Sequence, residues 1–368
     1  MTQRERLLTA LRRETPDQVP VTWELESRAA HAFTGRNDWK AICEAHRMIG
    51  SAIFNLQGAG PGLRSEMEAG YAETGEEITN EDGTTQRVHT LKTPRGELVE
   101  RWRFGHVPGD PMLGVRYEYF VKKPEDYEIL ADFMTERART ARPDTSTSGE
   151  AREHVGEDGL VGYWMPEANY YLGDARSAQT FVMDLIDRPD VMHTALEAVD
   201  RVKEKELEAF NLSQAEVLNL DLCWCSMSLI NPPLFKEFML PRVKRIMETV
   251  NRDGKVVGFF TTGKICAILD DLVGLEPDYI QHFDVLGDCD LAWAKKTYGD
   301  RICIVGNYNP VVLARGTLDE VRAETKRCLD SAMTGGGYIL SSSDEIPADA
   351  KLDNMKAVVE YVNEHGRY

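Results

Sequence analysis

The sequence predicts an α/β fold: a (β/α)8 TIM-type barrel preceded by a helical extension and carrying a β-hairpin insertion as a lid. Three observations support this. From residue 159 onward, short apolar segments alternate with stretches of helical period, the pattern of a parallel sheet covered by helices on its outer face. Two further strand-like segments near the N-terminus bring the count to eight, which favours a closed barrel over an open doubly wound sheet. No Gly-x-Gly-x-x-Gly follows the first strand and no Walker loop occurs, which weakens a nucleotide-binding reading.

In chain order, residues 3–13 read as a helix with Leu7, Leu8 and Leu11 on one face. Pro16 and Pro20 then force an extended segment into the first strand, 19–24. Residues 38–49 read as a helix and 51–57 as a strand, closed by the turn-rich GAGPG at 58–62. Alternating polar and apolar residues at 85–92 and 97–104, separated by TPRG, predict an antiparallel hairpin within an insertion at 64–120. Residues 136–158 are polar and poor in large apolar groups, and read as a mobile connection or an exposed helix within one barrel domain, 1–368. The remaining strands are expected at 159–167, 216–224, 256–262, 279–285, 302–307 and 338–343. Helices are expected at 175–187, 189–211, 232–252, 264–274, 290–297, 317–333 and 352–364.

Composition narrows the function. The formal charge of −18, from 43 Lys and Arg against 61 Asp and Glu, repels nucleic acid and anionic membrane surfaces. No apolar run is long enough to span a bilayer, and the N-terminus reads as an amphipathic helix and not a secretion signal. Seven cysteines without framework spacing point to a reduced, cytoplasmic setting.

In a barrel of this kind the chemistry sits at the C-terminal mouth, so the residues ending each strand are the candidates. These are Glu24 and Glu26, Asn55 and Gln57, Glu167, Asp221 with Cys223 and Cys225, Thr261 and Thr262, His282 with Asp284, Asn307 and Asn309, and Asp344 with Glu345. Acids and a histidine converging there can share protons or bind a metal through oxygen and nitrogen. Strand-end polar groups also cap helices, and Asp344 before Ile346-Pro347 suits a turn cap. Trp164, Tyr170, Tyr171 and Trp224 suit stacking on a flat substrate or a plain core role. Cys223-x-Cys225 lacks the second pair a structural zinc site needs and reads as two core thiols on one strand face; Cys266, Cys289, Cys303 and Cys328 read as small buried residues.

Seven segments in order add a resemblance: RERLLTALRRETPDQVPV at 4–21, TPRGELVERWRF at 93–104, SLINPPLFKEFMLPRVKRI at 228–246, KICAILDDL at 264–272, YGDRICIVGNYNPVVLARGT at 298–317, GGGYILSSSDEIP at 335–347 and DN at 353–354. From end to end the chain resembles the uroporphyrinogen decarboxylase superfamily, which implies the same barrel with its active site at the mouth. True decarboxylases of that superfamily carry an arginine-rich R-Q-A-G-R segment near the N-terminus; this chain has TWELESRAAHAF at 22–33, with Arg28 alone. It looks more like the branch of corrinoid and coenzyme M methyltransferases. In zinc-binding members of that branch a His-x-Cys-Gly ends the strand at 256–262 and a cysteine follows the last strand. The equivalent positions here, aligned on Gly263, are Phe260, Thr262 and Asp344, so zinc at that place is not expected.

The resemblance implies a methyltransferase that demethylates a small O-methyl or N-methyl compound, a methoxylated aromatic being favoured, and passes the methyl group to a corrinoid protein. No tightly bound cofactor is expected, the corrinoid being carried by the partner; homodimer formation is left open. The catalytic candidates are Asp344, Glu345, His282, Asp221 and Glu167, and the substrate-binding candidates Trp164, Tyr170, Trp224, Asn307, Asn309 and Thr262. The alternatives are a cofactor-free decarboxylase or lyase acting on a different substrate, and a non-catalytic barrel that binds a ligand or a corrinoid protein.

Overall fold

Gly162–Pro166, Val217–Asp221, Val256–Phe260, Tyr279–His282, Cys303–Gly306 and Tyr338–Ile339 form a parallel six-stranded sheet in sequence order. This computed structural model describes residues 1–108 and 110–368. The two N-terminal segments continue the ring by single parallel bridges, Val21 to Leu340 and Ile53 to Gly159. Backbone hydrogen bonds complete it: Thr22 N donates to Leu340 O at 2.9 Å, Ala52 N to Val21 O at 2.8 Å and Leu160 N to Ile53 O at 2.9 Å. Eight segments therefore enclose the interior, as the pattern of apolar runs predicts. The first two are bridges and not full ladders; in the first of them Pro20 lacks an N–H to give.

Helices cover the outside, and the first helix, Gln3–Leu11, joins Leu7, Ala10 and Leu11 to a buried cluster with Phe54, Val217, Tyr279, Val305 and Ile339. Gly258 makes room for Tyr279 in this interior. A Cβ at 258 would lie 2.2 Å from the Tyr279 ring, whose hydroxyl donates to Asn219 Oδ1 at 3.0 Å. Gly258→Ala is therefore expected to destabilise the fold by ~1–3 kcal/mol through overpacking, read as a lower urea midpoint with unchanged slope.

The expected hairpin is present, Thr85–Thr93 paired antiparallel with Gly96–Phe104, and two further strands, Ala72–Thr79 and Val115–Glu118, extend it to a four-stranded sheet. Its first strand, AETGEEIT, is exposed almost throughout and carries no apolar alternation to betray it. Two other expectations are corrected. The polar stretch 136–158 is ordered: it holds the end of helix Asp126–Thr140, a strand Ala141–Asp144 paired with Gly62–Ser65, and helix Ser146–Val155. The expected helix 175–187 is two helices, Ala168–Arg176 and Ala178–Asp187, broken at Ser177 with φ 82°.

The cysteines depart from expectation as well. Cys223 and Cys225 lie in a short 3-10 turn after their strand, Cys225 buried and Cys223 only partly so. Cys266 and Cys289 are joined as a disulfide, and Cys266 is partly exposed. Among the described residues no helix is long and apolar enough to cross a membrane.

Candidate active site

The mouth is built from chain segments far apart in sequence. After the bridge at Val21 the chain stays extended through Glu24 and enters helix Ser27–Thr34 with Glu26 at its N-cap. Glu26 makes no side-chain capping bond, so its carboxyl is free for other contacts. Its carboxyl lies beside that of Glu345, which follows the last strand. Arg28 holds that pair in place: Nη2 donates to Glu345 Oε2 at 2.8 Å and Nη1 to Asp110 Oδ2 at 2.6 Å. Asp110 belongs to the insertion, so the one arginine of this stretch ties the insertion to the mouth. Arg116 adds a second tie, pairing with Glu100 at 3.3 Å and with Asp174 of the helix that follows the Gly162–Pro166 strand.

Burial pushes Glu24, Glu26, Glu167 and Asp221 above the usual carboxylate range. Burial, then the charge of Glu345 beside it, push Glu26 up to about 9, with Arg28 offsetting only part. A neutral carboxyl therefore stands beside an ion-paired carboxylate at neutral pH. Glu24, 8 % exposed, is pushed up to about 7 by burial, against two amide hydrogen bonds that favour its charge. Those come to Oε2 from Asn55 Nδ2 at 2.8 Å and Gln281 Nε2 at 2.7 Å.

The native state keeps the Glu24 proton up to about 7, while the unfolded chain releases it near the ordinary carboxylate value. Between those values the native state binds more protons, so stability falls as pH rises. Glu24→Gln should flatten that slope, with an upper bound of about 3 kcal/mol at pH ~8. Urea unfolding of both proteins at pH ~5 and ~8 checks it.

Asp221 ends its strand 2 % exposed, and burial pushes it up to about 6. Its Oδ2 accepts from Trp164 Nε1 at 3.0 Å and its Oδ1 from Cys223 N at 2.8 Å. The Cys223 thiol stands beside Thr262, and burial raises it well above the ordinary thiol range. Tyr170 packs edge-on against Trp164, centroids 5.6 Å apart, and against Trp224 at 6.3 Å. Trp164, Tyr170 and Trp224 thus pack together beside Asp221, while Tyr171 is partly buried near Glu73 and Glu100 of the insertion.

Other candidates serve different ends. His282 is fully buried, which lowers its pKa. Nδ1 lies 2.8 Å from Ser342 O, a pure acceptor, so the ring hydrogen is assigned to Nδ1; Nε2 then accepts from Gln281 Nε2 at 3.2 Å. Both nitrogens are occupied, and the imidazole is a neutral strut packed edge-on to Phe260, 4.3 Å away. Glu167 caps helix Ala168–Arg176, its oxygens accepting from Asn169 N at 2.7 Å and Tyr170 N at 2.8 Å. Asp344 Oδ1 accepts from Glu345 N at 2.8 Å, which fixes the turn that presents Glu345. Asn307 Nδ2 donates to Phe283 O at 2.8 Å and Asn309 caps helix Pro310–Arg315. These two asparagines line a cavity of about 430 Å3, whose lining includes none of Glu26, Asp221 or Tyr170.

Among the residues the structure brings to the mouth, Glu26, Arg28 and Gln281 were not among the favoured sequence candidates. Glu26 was legible only as one of several strand-end acids. Gln281 left no signal, since one amide inside an apolar run looks like any polar interruption.

The profile of the Uroporphyrinogen decarboxylase (URO-D) family matches residues 168–365, more than half of the chain. The chain belongs to the uroporphyrinogen decarboxylase family. Within it the chain is 28% identical over 209 residues to the methylcobamide:CoM methyltransferase MtaA of Methanosarcina barkeri, covering 56% of this chain and 59% of that protein. It is 26% identical over 205 residues to the uroporphyrinogen decarboxylase of Coxiella burnetii, covering 52% and 53% respectively. The chain therefore spans less than two thirds of the length of either relative. A solved structure of a methyltransferase from Methanosarcina mazei superimposes with a TM-score of 0.66 over 99% of both chains at 18% identity, which establishes the shared fold. At the zinc positions implied by the family resemblance this chain presents a phenyl ring, a hydroxyl beside Cys223, and a carboxylate holding a turn. That donor set does not fit a thiolate-rich zinc site.

Proposed function

We propose that this chain is a methyltransferase that demethylates a small O-methyl or N-methyl compound, a methoxylated aromatic above all, with a corrinoid protein as second substrate. The observation that carries the reading is the Glu26–Glu345–Arg28 cluster: a neutral carboxyl held by an ion-paired carboxylate at the barrel mouth. An aryl methyl ether is a poor leaving group unless its oxygen gains a proton. Glu26 supplies that proton as the methyl–oxygen bond breaks; the bonding pair stays on oxygen and a phenol leaves. Glu26 then regains a proton from solvent. The corrinoid, carried by its own protein, supplies the nucleophile that accepts the methyl group. Trp164, Tyr170 and Trp224 give an aromatic ring a surface to lie against. The methylcobamide in the printed name of the MtaA relative, where it stands as the methyl donor to coenzyme M, supports a corrinoid as the methyl-transfer partner and not the identity of the methyl compound.

The test is a screen of methoxylated aromatics and methylamines with a reduced corrinoid protein, followed by the absorbance change on methylation and by phenol release. Turnover of a methoxylated aromatic is expected. Absence of methyl transfer with every donor, together with corrinoid-independent release of CO2 from a carboxylated substrate, would establish the decarboxylase reading instead.

A further inference from the structure

The rim of the barrel carries a second group of reactive side chains that the acid cluster does not use. Cys266 stands in the turn after strand Val256–Phe260, and Asp288 and Cys289 in the turn after strand Tyr279–His282. Their donor atoms lie within 4.8 Å of one another, the one such group of His, Cys, Asp or Glu among the described residues. The two turns are fastened independently of sulfur: Asp288 Oδ1 accepts from Ile265 N at 2.9 Å and Cys266 N at 3.1 Å. Both amides bind Oδ1, so Oδ2 is left for another partner. The cysteine Cα atoms are 5.6 Å apart.

Cys289 faces the cavity of about 430 Å3, which Asp284, Asp290 and Glu324 also line. The arginine in that lining, Arg327, is held by Glu324 through two bonds, Nε to Oε2 at 2.8 Å and Nη2 to Oε1 at 2.7 Å. The cavity therefore offers a cation an approach past carboxylates with little opposing charge.

We propose that the reduced protein binds one soft divalent cation of the zinc(II) class through Cys266 Sγ, Cys289 Sγ and Asp288 Oδ2. Water or an exogenous ligand takes the fourth position. Two thiolates and a carboxylate form a borderline-soft donor set that suits zinc over magnesium or calcium, and binding displaces the two thiol protons. The Cys266–Cys289 disulfide is the oxidised state of the same site. In forming it the two thiols give two electrons and two protons to a small disulfide of the oxidised-glutathione class, which leaves as two thiols, and the cation no longer binds. The site uses neither Phe260 nor Thr262, and its existence does not depend on the methyltransferase reading.

The test uses the full chain, reduced with a phosphine, stripped with a chelator and dialysed against zinc or cadmium. One equivalent per chain is expected. Cys266→Ser and Cys289→Ser should weaken binding by ~100-fold or more and Asp288→Asn by ~10-fold, with Cys223→Ser unchanged. Should the serine variants fold poorly, alkylation of the wild-type chain followed by peptide mapping gives an independent reading: zinc should protect Cys266 and Cys289 selectively. Equal binding by the serine variants and wild type overturns the proposal, as does a reduced wild type whose two cysteines alkylate at one rate with and without zinc.

Discussion

Glu26→Gln should lower the demethylation rate constant by ~10²–10⁴-fold, the usual contribution of a positioned proton donor. Glutamine matches a protonated glutamic acid in shape and can still donate an N–H to Glu345, and it removes the cost of keeping that proton in the fold, so urea stability should not fall and should exceed that of the wild type increasingly as pH rises above ~5. The pH profile separates loss of a donor from general damage. The proton-bearing form of Glu26 persists until pH rises through about 9, so wild-type activity should hold across the neutral range and fall above that value. The alkaline limb should be missing from the residual activity of the variant. A limb near about 7 would belong to Glu24 and should remain in both proteins.

Arg28→Ala should cost ~10–100-fold in the same assay, because it removes the guanidinium from two carboxylates at once. Glu345 would no longer be fixed against Glu26, and Asp110 would lose its tie to the mouth. The side chain of Arg28 is 25 % exposed and that of Glu345 38 %, so solvent screens the lost charge and the stability change should be small. Arg28→Lys should recover only part of the rate, since one ammonium does not reproduce a guanidinium fork bridging two acids. Faster proteolysis in the insertion of Arg28→Ala, followed by mass spectrometry, would mark its release from the barrel.

The barrel was legible because burial on both faces leaves continuous apolar runs between helical stretches, and every strand from Gly162 onward fell where those runs are. The insertion was half legible. Leu91 and Leu98 are buried and gave the inner strands their alternation, while Ala72–Thr79 has little to bury and gave none.

Membership of the mouth was legible from strand ends, but roles within it were not. Which carboxylate keeps its proton depends on what it is buried against, and Arg28 meets Glu345 across 317 residues of chain. Asp344 and His282 stand out in the sequence as an acid and a histidine at the right ends of strands. In the fold one holds the turn of Glu345 and the other is a neutral strut between Ser342 and Gln281. The disulfide was hidden for the same reason, since two cysteines 23 residues apart in separate turns carry no framework spacing.

Difference infrared spectroscopy of the wild type against Glu26→Gln, titrated through the alkaline range, tests the central claim without any substrate. A protonated-carboxyl band belonging to Glu26 should be present at pH ~8, vanish as pH rises through about 9, and be absent from the variant. If wild type and variant show the same spectrum in that region at pH ~8, Glu26 is already ionised and cannot be the proton donor.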